Sequence, residues 1–160
     1  MRQIGDPEDS GPDYLRRRSR AALAFQTVPP LGAVLIVTGS GTLAAACTGV
    51  LRVLFGYDLH VQTRSTLGAA LDAMLADKPG LLLLGVTDGA GPASPINLAI
   101  IRRFGYGGPI LVLADDVGLA QRHELLAAGA ADVIDRDEIE AARLAEALVA
   151  CWPPQAAAAE

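Results

Sequence analysis

The sequence contains few aromatic residues and few cysteines. Phe, Trp and Tyr make up 4% of the 160 residues, so a core has to be built mainly from Ala, Val, Leu and Ile. The two cysteines, Cys47 and Cys151, provide neither a disulfide framework nor the spacing of a cysteine metal site. Each lies in an apolar helical pattern, which predicts buried free thiols in a reducing compartment.

The sequence also lacks a long apolar run and an excess of positive charge. No stretch reaches the length that crosses a membrane, and the polar N-terminus has no hydrophobic signal-peptide region, so we expect a cytoplasmic protein without a membrane span. The net charge of −5 and the pI of about 4.9 argue against nucleic-acid binding. The segment 31–151 carries this charge, with thirteen acidic residues against eight basic ones.

Composition divides the chain into three parts. Residues 1–30 are predicted to form a flexible N-terminal arm, with a possible short helix over 14–25 that Asp13 would cap. The arm contains five arginines and four acidic residues, and we interpret its "RRRSR" run as solvated, with binding to phosphate or a membrane surface as the alternative. Residues 31–152 are predicted to form one domain, and residues 153–160 a disordered tail.

Within the domain, apolar strand patterns alternate with helical patterns. The predicted strands span 33–39, 58–64, 81–86, 109–115 and 131–135. The predicted helices span 42–56, 66–77, 94–105, 118–129 and 138–151. Strands that are apolar throughout belong to parallel sheets covered on both faces. The pattern therefore predicts an α/β fold with a doubly wound five-stranded parallel sheet, whose ligand chemistry would lie at the carboxyl ends of the strands.

The first strand runs into a glycine-rich turn, "VTGSGTLAAA", that has two interpretations. Gly39, Gly41 and Ala44 match a G-x-G-x-x-A dinucleotide-binding fingerprint, and Arg64 follows the second strand, where a 2′-phosphate contact is common. The same glycines can simply allow a tight turn between strand and helix. A small NADP-binding or other ligand-binding Rossmann-like module, with Gly39, Gly41 and Arg64 at its site, is therefore one possible function.

Five segments that follow one another along the domain favour a different function. They are "VLIVTGS", "YDLHVQTRSTLGAALDAML", "KPGLLLLGVTDG", "GPILVLAD" and "AAGAADVIDRD". In this order and at these intervals they resemble the receiver domain of response regulators, and the last segment, similar to "xAGADDYLxKP", is the most specific. The resemblance implies a flavodoxin-like receiver fold with strand order 2-1-3-4-5.

The resemblance also implies that the usual receiver chemistry is missing. That chemistry needs two acids that hold magnesium, an acceptor aspartate, a hydroxyl and a lysine. The positions that correspond here hold Gly39 and Ser40 (or Thr38 and Gly39 after a shift of one), Gly85, Ala114 and Arg136. We therefore expect a degenerate pseudo-receiver that is not an enzyme, has no catalytic residue, cofactor or metal, and closes its emptied pocket.

Nearby acidic residues are the possible substitutes for the missing acceptor. Asp88 lies three residues past Gly85, which is about 10 Å in an extended chain, so we interpret it as a turn residue. Asp115 is closer to the pocket and could instead cap the following helix. His60 and His123 have no matching partners, and we expect surface or packing roles for both.

A receiver without chemistry acts through its surface. The usual partner surface of the family combines the fourth helix, the fifth strand and the fifth helix. The residues expected to form it here are Gln121, Arg122, Glu124, Val133, Arg136, Glu138, Glu140 and Arg143. The resemblance implies a protein partner: a histidine kinase, another signalling protein or a second copy of the chain.

Overall fold

The computed structural model describes residues 31–152, so the predicted arm and tail lie outside the described residues. The strands are β1 (Ala33–Val37), β2 (His60–Arg64), β3 (Leu81–Leu84), β4 (Ile110–Ala114) and β5 (Asp132–Asp135). The helices are α1 (Gly41–Phe55), α2 (Leu67–Ala76), α3 (Pro95–Arg103), α4 (Leu119–Ala127) and α5 (Ala141–Cys151). None of these helices combines the length and the apolarity that crossing a membrane requires.

The five strands form one parallel sheet in the order β2-β1-β3-β4-β5, which confirms the predicted fold. Val37 at the end of β1 is in register with Arg64 of β2 and with Leu84 of β3. Ala114 at the end of β4 is in register with Asp135 of β5. The carboxyl ends of all five strands therefore meet along one edge of the sheet, as expected for parallel strands joined by helical crossovers.

The sheet is covered on both faces, and its central strand explains the continuous apolar pattern. Leu81 and Leu83 of β3 pack in the cluster that includes α1 and α5, whereas Leu82 and Leu84 pack in the cluster beneath α2, α3 and α4. All four leucines are buried. Side chains of a strand alternate between faces, so a strand covered on both sides has no polar position.

Side-chain caps set the beginnings of three helices. The hydroxyls of Ser40, Thr66 and Ser94 each accept a backbone N–H bond in the first turn of α1, α2 and α3. The predicted start of the last helix at residue 138 was wrong. A 3₁₀ turn over Arg136–Glu138 comes first, because the Glu138 carboxylate accepts the Asp135 N–H at 3.3 Å, and α5 then begins at Ala141.

Candidate functional site

A pocket of about 250 Å³ opens where the carboxyl ends of β1, β3, β4 and β5 meet. Its lining consists of the residues that follow these strands and the first turn of α1. They are Thr38, Gly39, Ser40, Leu43, Val86, Asp88, Leu113, Ala114, Asp115 and Arg136. The pocket is open, so the prediction that it closes once emptied of its acids was wrong.

The end of β1 is a hydrogen-bonded turn where the resemblance would place two acids. Thr38 is buried, and its hydroxyl donates to the Val86 carbonyl at 3.0 Å and accepts the Ser40 N–H at 3.2 Å. The Ser40 hydroxyl accepts the Leu43 N–H at 3.1 Å and so caps α1. Both hydroxyls are thus used in building the turn.

Asp88 is a turn residue, as expected. Its carboxylate nevertheless lies against Gly39 and lines the pocket, so the distance of about 10 Å on which that expectation was based was wrong. A Cβ on Gly39 would collide with the Asp88 carboxylate. The loop after β3 turns back on itself, because Gly89 and Gly91 both adopt positive φ angles of 86° and 72°. Thr87 and Gly91 also exchange two backbone hydrogen bonds of 2.9 and 3.0 Å. The glycines of "TDGAG" were the sequence signal for this return.

The end of β3 has little room for an acceptor side chain. Gly85 is buried, and its N–H donates to the Val37 carbonyl at 2.8 Å. A Cβ at this position would meet Leu43 Cδ2 and Thr38 Oγ1, each at 3.3 Å. Such contacts are tighter than ordinary van der Waals contact, so Leu43 and Thr38 would have to move by a few tenths of an ångström to admit a side chain here.

An ion pair crosses the mouth of the pocket from β4 to β5. Arg136 Nη1 lies 3.3 Å from Asp115 Oδ2, and both side chains are largely exposed. The expectation that Asp115 caps the next helix was wrong, since the N-cap of α4 is Gly118 and makes no side-chain hydrogen bond. Asp116, which lies between Asp115 and Gly118, has a positive φ of 53° that turns the chain sharply after Asp115. The hydroxyl position, Ala114, contributes only a methyl group.

The residues of the alternative nucleotide site do not form a phosphate cradle. The Asp88 carboxylate occupies the space above Gly39, and a negative group there repels a pyrophosphate. A Cβ at Gly41 would meet no atom within 4 Å. Arg64 Nη1 donates to the Thr63 carbonyl at 2.8 Å on the edge strand β2. The described residues also contain no group of three His, Cys, Asp or Glu that could hold a metal ion.

Part of the predicted partner surface is buried or already bonded within the domain. Val133 has no exposed surface, because it faces the core cluster beneath α4, so its assignment to the surface was wrong. Arg122 and Arg143 were expected to be exposed, but both are half-buried. Both donate to the Asp132 carboxylate, at 2.8 and 3.0 Å, and to the Val133 carbonyl.

The remaining predicted surface residues are exposed around this arginine pair. They are Gln121, Glu124, Arg136, Glu138 and Glu140. His60 and His123 are exposed too, as expected. Sequence reasoning missed Leu119 and Leu126, two exposed leucines of α4 that share one side of the helix with His123. The spacing of four residues from Leu119 to His123 and of three from His123 to Leu126 places all three on one side of a helix, and this was the signal in the sequence.

The cysteines are reduced thiols in apolar surroundings. Cys47 is buried, and burial raises the pKa of its thiol to about 11. Cys151 is half-buried, and burial together with the neighbouring Asp132 charge raises the pKa of its thiol to about 12. Raised pKa values keep both groups protonated at neutral pH and make them poor nucleophiles.

Comparison with known proteins identifies the fold. No protein-family model and no curated protein matches the sequence. Among solved structures, the signal receiver domain of a LuxO repressor protein from Vibrio parahaemolyticus matches with a TM-score of 0.62 and 20% identity, covering 73% of this chain and 89% of that one. The beryllofluoride-activated receiver domain of RstA from Klebsiella pneumoniae matches with a TM-score of 0.61 and 20% identity, covering 75% and 98%.

The receiver domain of the response regulator NarL from Mycobacterium tuberculosis gives a TM-score of 0.57 at 21% identity, covering 74% of this chain and 98% of that one. The described domain has the receiver fold. In this fold the pocket at the carboxyl ends of the strands occupies the position that the sequence resemblance assigned to phosphoryl chemistry.

Proposed function

We propose that this chain is a phosphorylation-independent signalling protein of the two-component type. In this proposal its degenerate receiver domain acts through protein–protein contacts and not through phosphoryl transfer. The observation that carries the proposal is the state of the acceptor position. Gly85 has no side chain, and Leu43 and Thr38 stand 3.3 Å from where its Cβ would be.

The cation of the pocket supports the same proposal. Arg136 stands at the position of the receiver lysine, which pairs with the phosphoryl group, and here it pairs with Asp115 at 3.3 Å. The ion pair joins the ends of β4 and β5 without a phosphoryl group. The unphosphorylated domain therefore already has an ion pair across its pocket.

Asp88 and Asp115, the two carboxylates of the pocket, allow a direct test of whether the domain accepts a phosphoryl group. The full chain, with Asp88→Asn and Asp115→Asn variants, is incubated with magnesium and acetyl phosphate beside a conventional receiver. Intact-mass spectrometry of the native chain should show no added phosphoryl group, and beryllofluoride should leave its melting temperature unchanged. Stoichiometric phosphorylation that either variant abolishes would overturn the proposal.

The partner surface that we propose is centred on α4. This helix buries only Leu125, and Leu119, His123 and Leu126 are exposed on it. Gln121 and Glu124 are exposed polar residues of the same helix, and Glu138 and Glu140 are exposed after β5. An apolar centre with a polar rim is the usual composition of a protein interface. The partner is a histidine kinase, another signalling protein or a second copy of the chain.

Exposed leucines on two helices allow a matched test of this surface. Leu119→Glu on α4 should reduce capture of the partner from native cell extract, or dimerisation measured by light scattering, by about tenfold, because one buried leucine contributes about 1.5–3 kcal/mol. Leu75→Glu introduces the same change on α2 at a similarly exposed position. Equal effects of the two variants, or none, would exclude α4 as the binding helix.

A further inference from the structure

The outward face of α1 is uncharged along its whole length. The exposed residues of this helix are Gly41, Thr42, Ala45, Ala46, Gly49 and Val53. Val53 is 75% exposed, and Tyr57, one turn further along the chain, is 84% exposed. The single charged residue of the helix, Arg52, is half-buried and stacks over the Tyr57 ring at 5.6 Å. This face, α1 with Tyr57, therefore presents methyl groups and a ring to its surroundings.

Other helices of the domain do not share this property. On α2 the exposed Leu75 follows the exposed charge of Asp72, and Asp77 and Lys78 come directly after the helix. The exposed surface of α4 includes Glu124 and His123. Charged groups on an outward face are typical of helices that remain in water, and their absence from α1 indicates a face that is covered.

The N-terminal arm enters the domain beside this face. His60 donates its N–H to the Gly32 carbonyl at 3.4 Å, and Tyr57 precedes His60 by three residues. Leu31, the first described residue, packs against the same core cluster as α1. Phe25 lies six positions before Leu31, and a segment of this length spans up to about 20 Å. The arm is thus attached within reach of Val53 and Tyr57.

The composition of the arm matches the face chemically. Residues 14–25 contain Leu15, Ala22 and Phe25 as a predicted apolar stripe, and a helix of twelve residues has a length of about 18 Å. The fifteen-residue α1 has a length of about 22 Å. On such a helix Arg16, Arg17 and Arg20 would point away from the stripe, whereas Arg18 falls on it, one heptad before Phe25. The exposed Asp58 beside Tyr57 can pair with one of the arginines.

We propose that residues 14–25 of the arm pack in cis on the face formed by α1 and Tyr57. The small residues at its centre, Ala45, Ala46 and Gly49, let a second helix approach closely, and Val53 and Tyr57 supply the apolar area. This surface is separate from α4 and does not depend on the signalling function proposed above.

Limited trypsin digestion of the full chain tests the proposal, because the arm contains cleavage sites at Arg16, Arg17, Arg18 and Arg20. Covered sites should be cleaved slowly. Val53→Glu, which places a charge within the contact, should accelerate cleavage of the arm about tenfold, and Phe25→Asp should have the same effect from the other side. Leu75→Glu, at an α2 position that is 66% exposed, should leave the rate unchanged.

Protein concentration distinguishes the arm from a second copy as the occupant. If the arm covers the face in cis, its protection from trypsin persists on dilution. If a second molecule covers the face, protection is lost on dilution, and light scattering detects a dimer at the higher protein concentration. The proposal is overturned by a cleavage rate that is the same in the native chain and in both contact variants, by protection that disappears on dilution, or by an equal acceleration in Leu75→Glu. Unchanged circular dichroism confirms that the exposed substitutions leave the fold intact.

Discussion

Arginine meets aspartate in two regions of this domain, and the two regions differ in exposure. At the mouth of the pocket, Arg136 and Asp115 are 41% and 52% exposed and make one contact of 3.3 Å. At the edge of the sheet, Asp132 is 15% exposed and bonds two guanidinium groups at 2.8 and 3.0 Å. The same residue types thus form a solvated pair in one region and a partly buried network in the other.

The difference shows which region is built for stability. Arg122 and Arg143 also donate to the Val133 carbonyl, at 2.6 and 3.3 Å, on the open side of the edge strand β5. Side chains that occupy the backbone acceptor of an edge strand hinder pairing with another strand. The network therefore holds α4 and α5 to β5, whereas the pocket pair adds a single solvated contact between the ends of β4 and β5.

The largest effect is expected from removing the centre of the network. Asp132→Ala should lower the free energy of unfolding by about 3 kcal/mol, because it leaves two partly buried guanidinium groups without their carboxylate. Urea denaturation of the full chain measures this change.

Asp137 provides the matched control, since it is exposed and lies two residues after β5. Asp137→Ala should change the unfolding free energy by no more than about 0.5 kcal/mol. Similar losses for the two variants would remove the distinction between the two regions.

A smaller effect is expected from returning a carboxylate to the end of β3. Gly85→Asp should destabilise the domain by about 2 kcal/mol, because its Cβ crowds Leu43 and Thr38. The carboxylate itself can extend into the open pocket and keep part of its hydration. A thermal melt compares this variant with Gly107→Asp, where a new Cβ meets no atom within 4 Å. If Gly85→Asp were as stable as the native chain, Leu43 and Thr38 would not crowd a side chain at the acceptor position.

Much of this fold could be predicted because its pattern is local. The apolar strands and the glycine stops fixed each element to within a few residues, and the parallel sheet followed from strands such as β3 that are apolar on both faces. The bounds of the last helix could not be derived in this way. A hydrogen bond between Asp135 and Glu138 produces a 3₁₀ turn there, and periodicity does not reveal such a bond.

The site was predicted less well because it depends on loops. Of the positions named from the sequence, Gly39, Ser40, Ala114 and Arg136 line the pocket and Gly85 does not, and the return of Asp88 depends on backbone angles at two glycines. Val133 was misplaced for a simpler reason. The edge strand β5 is covered on both faces, with Val133 packed in one core cluster and Ile134 in the other.

The buried thiol of α1 adds a dependence on alkaline pH. Cys47 is 1% exposed, and its pKa is raised from 9.0 to about 11. Between these values the unfolded chain loses the proton first, so the contribution of this thiol to the unfolding free energy is constant below pH 9 and falls by about 1.4 kcal/mol per pH unit between pH 9 and 11. Cys151, whose pKa is raised to about 12, adds a similar loss. Cys47→Ala should therefore reduce the slope by about 1.4 kcal/mol per pH unit in urea titrations at pH 8 to 11. An unchanged slope would mean that another group causes the loss.

The smallest effect is expected at the mouth of the pocket. A double-mutant cycle of Asp115→Ala and Arg136→Ala should give a coupling energy of no more than about 0.5 kcal/mol, which 1 M salt removes, because both groups are hydrated and screened. The equivalent cycle of Asp132→Ala and Arg143→Ala should give about 1.5 kcal/mol and persist in salt, since these atoms are shielded from ions. If the pocket pair coupled as strongly as the edge pair, the bridge from β4 to β5 would be a structural element. The pocket would then be fixed in one state, and its loops could not respond to a partner.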